Sequence, residues 1–338
     1  MYKVLNVLPH TGYENGRSNL FIRYYNQFDK TQFCLDMATT YQSDKYLQEH
    51  YDRYIGIVPK NLNYDIIHYS DTDDYHYNIF RRSGAKLVAT WHNDLTWDIS
   101  DDGTMIRSWF PYSLNAHAFS PPDILLPTTF TGEVKAKDFV SCKVKAILNR
   151  VVNPNSVVKR QFYNFVVGSV GKVSKVYGVD FIIELAKKLS WINFKLLTFE
   201  IPEDPNGHLL ITHLPTNLEL IDGRSNSVDN FLDSISLFIF TGRFCALPLV
   251  IQEAAQHSLP IISWDVGNCD ILTENLIPKW DLDSFSTNIN NMGNIFKSNM
   301  NLYSEFSLKS CQRAIEKCNI KTSITELENV YKELIDEN

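Results

Sequence analysis

Six cysteines occur in 338 residues, at positions 34, 142, 245, 269, 311 and 318, and no two of them make a CxxC pair. No histidine cluster has zinc spacing either, so no metal centre is expected. The thiols read as the reduced cysteines of a cytoplasmic protein. Apolar runs long enough to span a membrane are lacking. The opening MYKVLNVLPHTG is too short in its apolar part, and too polar after it, for a signal peptide. A strong charge of one sign is lacking too. Residues 1–160 carry 18 Lys and Arg against 17 Asp and Glu, a net +1, and residues 161–338 carry 14 against 22, a net −8. By charge alone, neither half is built to grip a polyanion. No two carboxylates have a spacing that suggests a glycosidase pair. Asp71-Thr72-Asp73 reads as a pair of turn acids rather than a metal-binding motif.

What is present is alternation. The chain exceeds the size at which one hydrophobic core stops growing, so two domains are expected. Short apolar runs alternate with helical patterns, which predicts βαβ units and parallel sheets. Strands are predicted at Lys3–Leu8, Tyr64–Tyr69, Lys86–Trp91, Asp123–Leu126 and Ala146–Leu148, with a helix at Arg17–Phe28. The pattern restarts with strands at Phe165–Val170, Phe194–Phe199, Ser236–Phe240 and Pro260–Trp264, and helices at Val179–Leu189 and Leu247–Ser258. A last helix is predicted at Ser323–Leu334, where Ile324, Leu327, Val330, Tyr331 and Leu334 recur at helical spacing. The turn-rich stretch before residue 165 puts the boundary near 155–164. The expected domains are 1–160 and 161–318, with 319–338 a helix packing back towards the first.

The most informative segment is Phe240–Ile271. A buried strand ends in a small-residue loop, and a helix follows near Leu247 with Pro248 in its first turn, where proline fits. Amides at such a helix start attract an anion. Glu253 lies in that helix among Val250, Ile251, Ala254 and Ala255. A solvated surface carboxylate is the plainer account of it; accepting hydroxyls from a ribose is the functional one. The basic run Lys135, Lys137, Lys143, Lys145, Arg150, Lys159 and Arg160 has two readings as well, a solvated face or a phosphate-facing wall.

In this segment the chain resembles the retaining GT-B glycosyltransferases of the family 4-like group. The family has two glutamates in an E-x7-E arrangement; the second matches Glu253, and Cys245 stands where the first would be. Phe165–Leu189 resembles the family segment that carries a glycine, an arginine and a phosphate-binding lysine. Gly168 matches the glycine and Ser169 replaces the arginine, while Lys172 or Lys175 would be the lysine. Thr90-Trp91-His92-Asn93 resembles the family's strand end, with His92 towards the sugar. The loop His10–Arg17 stands where the family has its first glycine-rich loop, and Gly12 and Arg17 match it loosely.

The resemblance implies two Rossmann-like domains with parallel sheets facing a central cleft. It implies transfer of a sugar from a nucleoside diphosphate sugar, UDP-linked by preference, with retained configuration and no metal or other cofactor. His92, Lys172 and Lys175 would be catalytic. Gly12, Arg17, Gly168, Ser169, Cys245, Ala246, Leu247 and Glu253 would hold the donor. The acceptor implied is a saccharide or lipid-linked glycan. Three alternatives stay open: a transferase acting on modified bases of phage DNA, a non-catalytic nucleotide-binding relative, and a sugar-nucleotide epimerase. Peripheral membrane contact and the oligomeric state stay open as well.

Overall fold

The structure, a computed structural model, describes residues 1–8, 16–70, 74–92, 120–156, 158, 162–199, 211–243 and 245–337. Two compact units emerge: Met1–Val151 with Ile320–Asn338, and Val152–Asn319.

The first unit is built on a sheet of seven described strands: β1 (Tyr2–Leu8), β2 (Phe33–Thr39), β3 (Tyr54–Ile57), β4 (Ile66–Tyr69), β5 (Lys86–Trp91), β6 (Ile124–Pro127) and β7 (Lys143–Val144). Their order is β3-β2-β1-β4-β5-β6-β7, and every pairing is parallel. The central strands are buried on both faces, so they read as mainly apolar runs. Leu5, Val7, Ile67, Tyr69, Leu87, Ala89 and Leu125 form a core with Phe80 of α3 (Asp74–Arg82) and Ala136 of α4 (Phe130–Lys137). The helices α1 (Gly16–Tyr25) and α2 (Lys45–His50) precede these in the chain.

Thr129 caps α4, its hydroxyl accepting from the Gly132 amide at 2.8 Å. The strand expected at Ala146–Leu148 is instead the short β7 just before it. Residues 145 and 147 still donate to Leu125 O at 3.1 Å and Pro127 O at 2.9 Å, which continues the ladder without a named strand.

The second unit holds β8 (Val166–Val170), β9 (Asn193–Thr198), β10 (Leu218–Asp222), β11 (Leu237–Phe240), β12 (Ile261–Trp264) and β13 (Leu276–Ile277), ordered β10-β9-β8-β11-β12-β13 and all parallel. Its helices are α5 (Val179–Lys188), α6 (Val228–Asp233), α7 (Leu249–Gln256), α8 (Leu282–Ser298) and α9 (Met300–Lys317). Trp264 packs edge-on against Phe181 and Phe285, at ring separations of 5.4 and 4.5 Å. A second cluster joins Phe296 and Tyr303 at 5.0 Å.

The last helix, α10 (Ile320–Asp336), belongs to the first unit. Its Tyr331 packs against Phe28 and Phe33, and its Glu326 pairs with Arg150 at 2.8 Å.

Candidate functional site

In an open parallel sheet, ligands gather beyond the carboxyl ends of the strands, where the strand order reverses. In the second unit that point lies between β8 and β11. Two loops leave it, 171–178 after β8 and 241–248 after β11. They are tied into one body.

Gly178 sits at φ +70°, and a Cβ there would come within 1.8 Å of Thr241 O. The Thr241 hydroxyl donates to Gly178 O at 3.0 Å, and the Arg243 amide donates to Val176 O at 2.9 Å. The Arg243 guanidinium is buried and forks onto both oxygens of Asp180, at 2.7 and 2.6 Å. It also donates to Lys175 O and stacks over the Phe181 ring, 4.0 Å from the centroid. Its charge is therefore met by Asp180. What it does is hold the lysine loop. Lys172 and Lys175 keep their side chains on the exposed rim of that loop.

The loop after β11 continues to α7. Pro248 takes the N-cap position, so the helix starts two residues later than the sequence pattern suggests. Proline has no side-chain group to accept from the first-turn amides, and no acidic residue lies in that turn. Glu253, half-buried, follows about one turn into the helix. Cys245 is buried, and its thiol donates to Val266 O at 3.6 Å. Ala246 O accepts from both the amide and the side-chain nitrogen of Asn268, each at 3.0 Å. Gly267 stands at φ +54°, where a Cβ would lie 2.0 Å from Cys245 O. The loop after β12 is thus fitted onto the start of α7. Leu247 is buried beside it.

Gly168 and Ser169 lie just before the first of these loops. Both lie within β8 and are buried. A side chain at Gly168 would meet Ile235 at 2.5 Å, so this glycine serves strand packing.

In the first unit the strand order reverses between β1 and β4. His92 follows β5, half-buried, with Nδ1 3.5 Å from Asn149 Nδ2 and its ring edge-on to Phe21. Behind it is a cavity of about 20 Å³, lined by Phe21, Tyr24, His68, Thr90, His92 and Asn149 among others. That is room for one water. His68 is fully buried there, between the Tyr331 hydroxyl at 2.7 Å and Thr90 Oγ1 at 2.6 Å. Burial holds its pKa down at about 3, so the ring is neutral.

Gly12, Asp71, Asp73, Asn93, Lys159 and Arg160 lie outside the described residues, as does the side chain of Arg17. Of the basic run, Lys137, Lys143 and Arg150 are each paired, with Glu133, Glu337 and Glu326. Among the described residues no three His, Cys, Asp or Glu converge on a metal site, and no helix is long and apolar enough to cross a membrane.

Sequence reasoning missed Arg243, although it lies inside the segment singled out. Its partner Asp180 stands 63 residues away, and nothing local marks the pair. Also missed was His257 at the end of α7, whose two ring nitrogens meet Asp233 and Asp229 at 3.0 and 3.1 Å.

Solved structures are similar to the chain over nearly its whole length. The Anabaena protein HepE, in complex with UDP-glucose, superposes with a TM-score of 0.76 at 14% identity, covering 98% of this chain and 100% of that one. The fold is that of the GT-B glycosyltransferases. Sucrose-phosphate synthase from Thermosynechococcus elongatus gives a TM-score of 0.74 at 12% identity, covering 99% and 100%. S. aureus TarM, in complex with fondaparinux, alpha-GlcNAc-glycerol and UDP, gives 0.63 at 17% identity, covering 79% of this chain and 55% of that one. The chain matches no family model and no curated protein. At 12–17% identity, these likenesses are of fold.

Proposed function

We propose that the protein is a retaining glycosyltransferase that moves a sugar from a UDP-sugar to a hydroxyl of a glycan or glycolipid, in the cytoplasm. One observation carries the reading. At the β8/β11 switch point, the start of α7 carries no side-chain cap at Pro248, and Glu253 and the loop bearing Lys172 and Lys175 belong to the same strand-end assembly. Helix-start amides meet anionic oxygens with fixed dipoles that need no reorganisation. Lys172 or Lys175 adds a positive charge for the departing diphosphate. Glu253 accepts the ribose hydroxyls. The complexes of HepE with UDP-glucose and of TarM with UDP support the choice of base.

A second reading, a nucleotide-binding relative without transferase activity, is favoured by one observation. Where the family places its first glutamate, this chain has a buried thiol bonded to Val266 O. Release of UDP from any UDP-sugar, including slow hydrolysis, would exclude it.

The test is a thermal-shift screen against UDP, GDP and ADP. A ligand at 100 times its dissociation constant stabilises the folded state by about 2.7 kcal/mol. UDP is expected to raise the melting temperature, and Glu253→Ala to remove that rise. No shift with any of the three nucleotides would overturn the reading.

A further inference from the structure

We propose that Cys245 and Cys269 form an oxidisable dithiol that closes to a disulfide and reshapes the start of α7. Their sulfurs lie 3.5 Å apart, and both residues are buried, at 8% and 0% exposure. A disulfide needs about 2.05 Å between sulfurs. Closure therefore requires the sulfurs to approach by about 1.5 Å.

The two chain segments are already fixed against each other. Asn268 bonds twice to Ala246 O, and Gly267 lies against Cys245 O with no room for a side chain. The remaining cysteines are placed differently. Cys34 and Cys142 are partly exposed, and Cys311 and Cys318 lie in and just after α9.

The step needs an oxidant, and a small peroxide fits a buried pair. The Cys245 thiolate attacks one oxygen of hydrogen peroxide, giving a sulfenic acid and, with a proton, water. The Cys269 thiol then attacks that sulfur, and a second water leaves as the S–S bond forms. Two thiol hydrogens are lost in all. Closure removes the hydrogen bond from Cys245 to Val266 O and links the loop after β12 covalently to the segment that leads into α7.

The consequence for the nucleotide rests on the proposed donor site; the disulfide itself does not. The full-length wild-type chain is treated with hydrogen peroxide, unfolded, alkylated and digested, and the peptides are mapped by mass. The expected product is one peptide pair joined through Cys245 and Cys269, absent after dithiothreitol and absent in Cys269→Ala. UDP affinity should fall by about tenfold on oxidation, within the usual range by which one site's state changes another's affinity, and recover on reduction. Individual alkylation of both cysteines, under conditions that oxidise Cys34 or Cys142, overturns the proposal. So does a mapped disulfide that leaves UDP affinity unchanged, since closure would then not reshape the helix start. A mapped disulfide in a chain that binds UDP in neither state upholds the dithiol and instead counts against the donor site.

Discussion

The Tyr331 hydroxyl lies 2.7 Å from Nδ1 of His68, a hydrogen bond across 263 positions of the chain. It fastens α10 to the middle of the first unit's sheet. The other ring nitrogen meets Thr90 Oγ1 at 2.6 Å. A neutral imidazole has one donor and one acceptor, so the two bonds fix a single direction of donation along Tyr331, His68 and Thr90. Removing one end leaves a buried nitrogen unsatisfied. Tyr331→Phe keeps the ring contacts with Phe28 and Phe33 and should cost about 1–3 kcal/mol. Tyr331→Ala also loses the packing, for a total of at least about 3–5 kcal/mol. Urea denaturation of the two variants checks the order.

The same histidine gives the fold an acid limit. Its pKa is about 3 when folded, against 6.5 when unfolded. Below pH 6.5 the unfolded chain gains a proton at this position that the folded chain does not. The contribution is therefore complete above pH 6.5 and is lost as the pH falls towards 3, at up to about 1.4 kcal/mol per pH unit. His68→Gln should flatten the fall in melting temperature between pH 6.5 and 4. Equal slopes for wild type and variant would refute the assignment.

Arg243 should matter through the loop it holds. Arg243→Met leaves Asp180 without its fork, and breaking such a pair costs about 3–5 kcal/mol. The lower end is expected because the Asp180 side chain keeps 24% exposure. Arg243→Lys should recover only part, since an ammonium cannot make both bonds at once. The double variant Arg243→Met with Asp180→Asn should lie closer to wild type than Arg243→Met alone. Guanidinium unfolding of wild type, Arg243→Met, Asp180→Asn and the double variant reads the coupling.

Three glycines with positive φ separate conformation from contact. Gly84 stands at φ +77° with nothing within 4 Å of the place a Cβ would take, so Gly84→Ala should cost about 1–2 kcal/mol of backbone strain. Gly178→Ala and Gly267→Ala add a collision with a backbone carbonyl, at 1.8 and 2.0 Å. Both should melt well below Gly84→Ala in a thermal scan. A similar loss in all three would mean that the loops yield to the added carbon.

The strands β1, β4, β5, β6, β8, β9, β11 and β12 were legible because burial on both faces demands a mainly apolar run. β2 was not, since Asp36 interrupts it and finds its charge partner in Arg53 at 2.6 Å. β3, with exposed Ile55 and Ile57, has the weak pattern of an outer strand. The long helices α8 and α9 could not be given bounds because Ser and Asn crowd them. α8 begins where Asp281 accepts from the Ser284 amide at 2.9 Å, and its buried stripe Phe285, Ile289, Met292 and Phe296 emerges only on packing. The strand and helix on either side of the candidate residues were legible, from the buried run of β11 and the apolar residues of α7.

By itself the sequence determined the two rounds of βαβ alternation and the place of the small-residue turns, because period and turn chemistry are local properties of a chain. Only the tertiary structure decided that Gly168 packs against Ile235, that Arg243 spends its charge on Asp180, that Cys245 meets Cys269, and that Tyr331 closes on His68. Each of these is a contact between residues far apart in the chain, and its energy depends on burial and distance that no local pattern records.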